Sequence, residues 1–189
     1  MSFLDMLKRR LAEKAVDAVK KGITNKSTTF RFQEIPTTLE ALKALPEADL
    51  KTPYKTAALT LLALMNYETA PDTCIEMLNF LSGPDPLSQL EKQFLQEALS
   101  GKFYKPASFF EGATPDNGYQ PNRPYVLKVS ENQYSHRDET HTVLYLKSGG
   151  ADLPRQIDFR KKPSTGQWFV TSYNFLSDIR IPKAEDPWA

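Results

Sequence analysis

Between Pro124 and Tyr173 apolar and polar residues alternate in four short runs, and no other feature constrains this chain more. Tyr125, Leu127 and Val129 alternate with Val126, Lys128 and Ser130. Thr142, Leu144 and Leu146 alternate with Val143, Tyr145 and Lys147. Ile157 and Phe159 alternate with Asp158 and Arg160, and Trp168, Val170 and Ser172 with Phe169, Thr171 and Tyr173. A period of two sends successive side chains to opposite faces of a strand. Such runs on short links predict an antiparallel meander with one face on a core. Pro163-Ser164-Thr165-Gly166 joins the last two runs as a hairpin turn. The third run opens from Ser148-Gly149-Gly150-Ala151-Asp152-Leu153-Pro154-Arg155, a turn expected to use positive φ at its glycines and to be stiffened by Pro154. Asp152 and Arg155 are expected to pair across it.

Upstream the apolar spacing becomes helical. Phe30 and Phe32 mark a short extended segment that ends at Pro36. Thr37 and Glu40 spell a capping box before Leu39, Leu42 and Leu45. Thr52-Pro53 opens a helix over residues 54 to 67 that is apolar nearly all round, and so belongs at the buried centre of a helical layer. Asp72 is placed to cap the next helix, which carries Cys74, Ile75, Met77, Leu78 and Leu81 and closes at Gly83-Pro84. Ser88 and Glu91 form a second capping box, ahead of Leu90, Phe94, Leu95 and Ala98. From Phe103 to Pro124 the periodicity stops. Prolines and aromatics crowd this stretch, so it reads as a packed loop of a kind that often carries function.

Residues 3 to 21 read as a separate amphipathic helix ending at Gly22, followed by a polar linker. Leu4, Leu7, Leu11, Ala15 and Ala18 share one face. That stripe is narrow, partly alanine and has no Trp anchor. It suits a protein partner or a second copy of the chain, in a homo-oligomer, over a membrane surface. The division is therefore 1–26 as helix and linker, and 27–189 as one α+β domain, a helical layer packed on an antiparallel sheet of about four strands.

Charge excludes some functions. Lys plus Arg number 24 and Asp plus Glu 23, for a net charge of +1, which gives no long-range pull on nucleic acid. The one cysteine, Cys74, allows no internal disulfide and fits a reducing cytoplasmic compartment.

Five segments together resemble a family of uncharacterised bacterial proteins known as a domain of unknown function. They are Thr52-Pro-Tyr-Lys-Thr-Ala-Ala-Leu59, Ile75-Glu-Met-Leu-Asn-Phe-Leu81, Gly112-Ala-Thr-Pro115, Ser148-Gly-Gly-Ala-Asp152, and Ser177-Asp-Ile-Arg180 through Glu185-Asp-Pro-Trp188. The resemblance spans residues 52 to 189. It implies a bacterial, cytoplasmic protein and brings no activity, cofactor or catalytic residue.

Candidate chemistry is sparse. His136 and His141 are the only histidines. Their spacing puts the rings on opposite faces of a strand, which does not suit the converging ligands a metal needs. Cys74 sits in an apolar helix and reads as a small buried hydrophobe. Arg160-Lys161-Lys162 could touch phosphates, yet it reads as a solvated hairpin tip. No catalytic residue, metal or cofactor is assigned. The recognition surface is placed in the 103–124 loop and the Gly149-Gly150 turn, at Phe110, Asn117, Tyr119, Asp152 and Arg155. Three functions follow from these residues. One is a non-catalytic interaction protein using that surface. The second is a small-ligand binder with a cavity between sheet and helices. The third is a hydrolase acting through Asp152, Asp158 or His141. Trp188, one residue from the end, is expected to dock.

Overall fold

A computed structural model describes residues 26–188. The helix and linker read over residues 1–26 lie, apart from Lys26, outside the described residues. Five strands form one antiparallel sheet in chain order: β1 (Ser27–Phe32), β2 (Tyr125–Ser130), β3 (His141–Leu146), β4 (Arg155–Lys162) and β5 (Gln167–Val170). The sheet thus has five strands where the alternation gave four. The extra one is the Phe30–Phe32 segment, which pairs with β2 through Phe30↔Leu127 and Phe32↔Tyr125. Both phenylalanines are buried, and burying them offsets the entropy of bringing together segments so far apart in the chain.

Between β1 and β2 come the helices α1 (Leu39–Lys43), α2 (Pro53–Leu64), α3 (Pro71–Ser82), α4 (Gln89–Leu99) and the single turn α5 (Tyr104–Ala107). The Thr52 side chain caps α2, with Pro53 at its first position. Every α2 residue from Thr56 to Leu64 is buried, and the helix packs on β2, β3 and β5. Its two internal threonines are satisfied locally: Thr56 Oγ1 donates to the Trp168 carbonyl at 2.7 Å, and Thr60 Oγ1 to the Thr56 carbonyl at 2.7 Å. Two caps differ from expectation. Thr38, not Thr37, caps α1. The cap of α3 is Ala70, with Pro71 at the first turn and Asp72 one residue inside it. Pro71 pre-sets the helical φ two residues before the first helical position that an Asp72 cap would give.

The sheet is not evenly paired. β2 and β3 are in register only at Val129↔Leu146 and Ser130↔Tyr145. Where they diverge, residues 108–111 fill the gap. Phe110 bridges Leu127, and the Glu111 N–H donates to the Val126 carbonyl at 2.9 Å. Leu127 is therefore paired on both sides, by Phe30 and by Phe110. The aromatic loop is a wedge of the sheet itself. Among the described residues no helix is long and apolar enough to cross a membrane.

Candidate functional site

The two segments assigned to recognition do meet. The Gly149 N–H donates to the Ser108 carbonyl at 2.8 Å, and Ser148 Oγ donates to Ser108 Oγ at 2.7 Å. The C-terminal segment closes over both: the Arg180 N–H donates to the Gly150 carbonyl at 3.0 Å, and Tyr119 Oη donates to the Arg180 carbonyl at 2.6 Å. This contact explains the glycines. Neither has the positive φ expected for the turn. A Cβ on Gly149 would sit 2.0 Å from the Ala113 carbonyl oxygen, and one on Gly150 would sit 2.1 Å from Tyr119 Oη. They are needed for close approach, the other reason a chain uses glycine.

Of the five assigned residues, two lie inside. Phe110 is buried edge-on to Tyr125, and Tyr119 is fully buried with its ring 5.5 Å from that of Tyr104. Neither ring reaches the surface. Asn117 is exposed, but its amide is spent on the loop. Its Oδ1 accepts from the Thr114 N–H at 3.0 Å, and its Nδ2 donates to the Gly112 and Gln120 carbonyls at 2.8 and 3.1 Å. Asp152 pairs with Arg180 at 2.9 Å, not with Arg155. Arg155 instead donates to the Asp178 carbonyl, and its Nε is buried without a partner. What remains at the surface is a rim of paired charges, Asp152–Arg180 and Asp116–Lys183, with Leu153 and Ile181 exposed beside the first pair. Trp188 does not dock; it is 93% exposed. Asp186 Oδ1 accepts from its N–H and turns the backbone there, with no apolar seat for the ring.

The titratable groups form separate pairs. His136 lies 3.0 Å from Glu131 through Nε2 and 3.2 Å from Thr142 Oγ1 through Nδ1. Tyr54 approaches the same carboxylate. Burial, and then that neighbouring charge, raise its phenol above the ordinary range, while no well-formed hydrogen bond reaches its oxygen. His141 is held by Asp138 at 2.9 Å. The Thr140 N–H and hydroxyl, with help from His141, bring Asp138 down to about 2. Asp158 pairs with Arg137 at 3.3 Å. The register sets Asp158 diagonal to His141 on one sheet face, yet each already has its own partner, and Asp152 sits on a different turn. Among the described residues no three metal-ligating side chains gather. Burial pushes the Cys74 thiol up to about 12, far from a reactive thiolate.

One concavity was not assigned from sequence. A cleft of about 690 Å³ opens between the α3–α4 connection and the β4–β5 hairpin. Pro84, Asp85, Pro86, Ser88 and Glu91 line one wall; Arg160, Lys161, Lys162 and Pro163 line the other, with Phe169 and Val170 beneath. Gly83 makes this shape. It adopts φ +71°, and a Cβ there would fall 2.5 Å from the Phe169 ring. Glu91 belongs to the capping box, accepting from the Ser88 N–H at 2.8 Å and hydroxyl at 2.6 Å. Both walls were visible in the chain, as Gly83-Pro84 and as Arg160-Lys161-Lys162. Nothing in either segment signals the other. The space directly between sheet and helices, by contrast, is filled by side chains such as Leu59, Leu62, Leu127, Leu144 and Ile157, all fully buried.

Among known proteins, residues 34–183 match the model of a family described as a domain of unknown function (DUF6935). No curated protein and no solved structure matches the chain.

Proposed function

Because this chain belongs to the family described as a domain of unknown function (DUF6935), we propose a reading from its own geometry: a non-catalytic domain that binds a small ligand in the cleft between the α3–α4 connection and the β4–β5 hairpin. The cleft carries the proposal. Its volume of about 690 Å³ lies within the range of small-molecule sites, roughly 300–1,000 Å³. An apolar floor under polar walls is what such sites use to orient a ligand. The absence of a nucleophile–base–orienter chain among the described residues favours binding over turnover. On this reading the protein works in the bacterial cytoplasm, where Cys74 stays a thiol.

The test is a thermal-shift screen of metabolite-sized compounds on the full chain and on Thr171→Trp. Thr171 lines the cleft and is exposed, so an indole there fills the site without disturbing the core. Ligands should raise the melting temperature of the parent protein and leave that variant unmoved. Equal shifts in both proteins would remove the cleft reading.

A second reading has its own observation. Leu153 is 75% exposed and Ile181 39%, both next to the Asp152–Arg180 pair on the rim where loop, turn and C-terminal segment meet. Exposed aliphatic side chains within a polar rim suit a protein partner. Leu153→Asp with Ile181→Asp should then release a co-purifying partner that the parent retains. Release instead on starting the chain at Ser27 would move the contact to the residues ahead of it.

A further inference from the structure

The walls of the cleft differ in charge, and this gives the ligand a chemical class. In the β4–β5 register Arg160 stands opposite Phe169. Paired residues share a face, so the guanidinium and the ring lie on the same side of the hairpin. Lys162, two residues on, alternates onto that face too. Among the described residues no carboxylate pairs with Arg160, Lys161 or Lys162; Asp158 is engaged by Arg137, and Glu91, on the facing wall, by the Ser88 cap. Lys161 turns the other way, 5.8 Å over the Trp168 ring. The cleft therefore offers two free cations beside an aromatic floor, with the Asp85 carboxylate on the far wall as an acceptor.

We infer that the cleft takes a phosphorylated small molecule with a flat ring, the phosphate on Arg160 and Lys162 and the ring over Phe169. Arg presents a planar fork that matches phosphate oxygens, and Lys adds a point charge. A ring body uses the apolar floor and leaves an exocyclic N–H donor free to reach Asp85. Neither part alone fills a space of this size. The inference rests on the cleft reading above.

The test is isothermal titration calorimetry on the full chain with four probes: ADP, adenosine, ribose 5-phosphate and inorganic pyrophosphate. ADP is expected to bind more tightly than any of the other three, and its binding to weaken with added salt. Arg160→Gln with Lys162→Gln should weaken ADP by about tenfold or more, as loss of hydrogen bonds to a charged group does, and leave adenosine unchanged. Both positions are exposed, so the variant should keep the parent's melting temperature. If ADP binds no better than adenosine, or if the double variant binds it as the parent does, the inference fails. It fails equally if none of the four binds. The Thr171→Trp screen separates that failure from failure of the site: a neutral ligand lost in Thr171→Trp but kept in the double variant would preserve the cleft and overturn the phosphate.

Discussion

At the scale of single residues, close approach sets the strongest constraints. Gly149 faces a backbone carbonyl, which cannot swing away, while Gly150 faces the end of a tyrosine side chain. Gly149→Ala is thus expected to cost about 2–4 kcal/mol. Gly150→Ala should be partly relieved by Tyr119→Phe, which removes the oxygen 2.1 Å from the new methyl. In urea denaturation the double variant should be more stable than the sum of the two single losses predicts; simple additivity would mean that the two residues do not meet. Asp138 makes a pH prediction. Its folded value, about 2, lies below the ordinary 3.8, so the unfolded chain takes up the proton first as pH falls. Its contribution is present above about pH 4 and is lost on the way down to 2. The gap in urea midpoint between the parent and Asp138→Asn should therefore close across that window. A gap unchanged down to pH 2 would show that the carboxylate is not held as described.

At the scale of elements, local signals were good guides where the stabilising contact is itself local. The Ser88–Glu91 capping box needs only four residues, and it forms reciprocally as read. Ser88→Ala should cost about 1 kcal/mol, measured as a lower urea midpoint with an unchanged slope. The burial of α2 was legible for the same reason, since a helix apolar all round has no face to give to water. Local reasoning slipped by one residue at Thr37, where Thr38 caps instead, and by two at Asp72, where Ala70 stands at the cap and Pro71 opens the helix. It failed for β1. Two phenylalanines in six residues carry little period-two signal, and the partner strand that uses them lies beyond all of α1 to α5.

At the scale of the whole molecule, the family match and the fold do not share a boundary. The match starts at residue 34, just past β1, whose Phe30 and Phe32 are part of the core. A chain cut to 34–183 would leave β2 as an open edge and uncover Leu127 and Val129. It is expected to aggregate or to melt well below a chain covering 26–189, as scanning calorimetry and light scattering would show. Equal melting temperatures would make β1 an accessory strand.

The amino-acid sequence by itself determined the α+β class, the antiparallel meander of β2 to β5, the central helix and the Ser88 cap, because each follows from periodicity or capping within a few residues. It also marked Gly149-Gly150 and the aromatic loop as unusual. Only the tertiary structure decided what they are for. The glycines admit Ala113 and Tyr119, and the loop wedges between β2 and β3, burying two of the three residues that it offered for recognition. The cleft belongs to this second kind. Its walls come from segments on opposite sides of the loop and of two strands, and no local rule can bring Asp85 to face Arg160. A pattern reports which side of an element meets the core. Which two surfaces face each other across a gap depends on how all the elements pack.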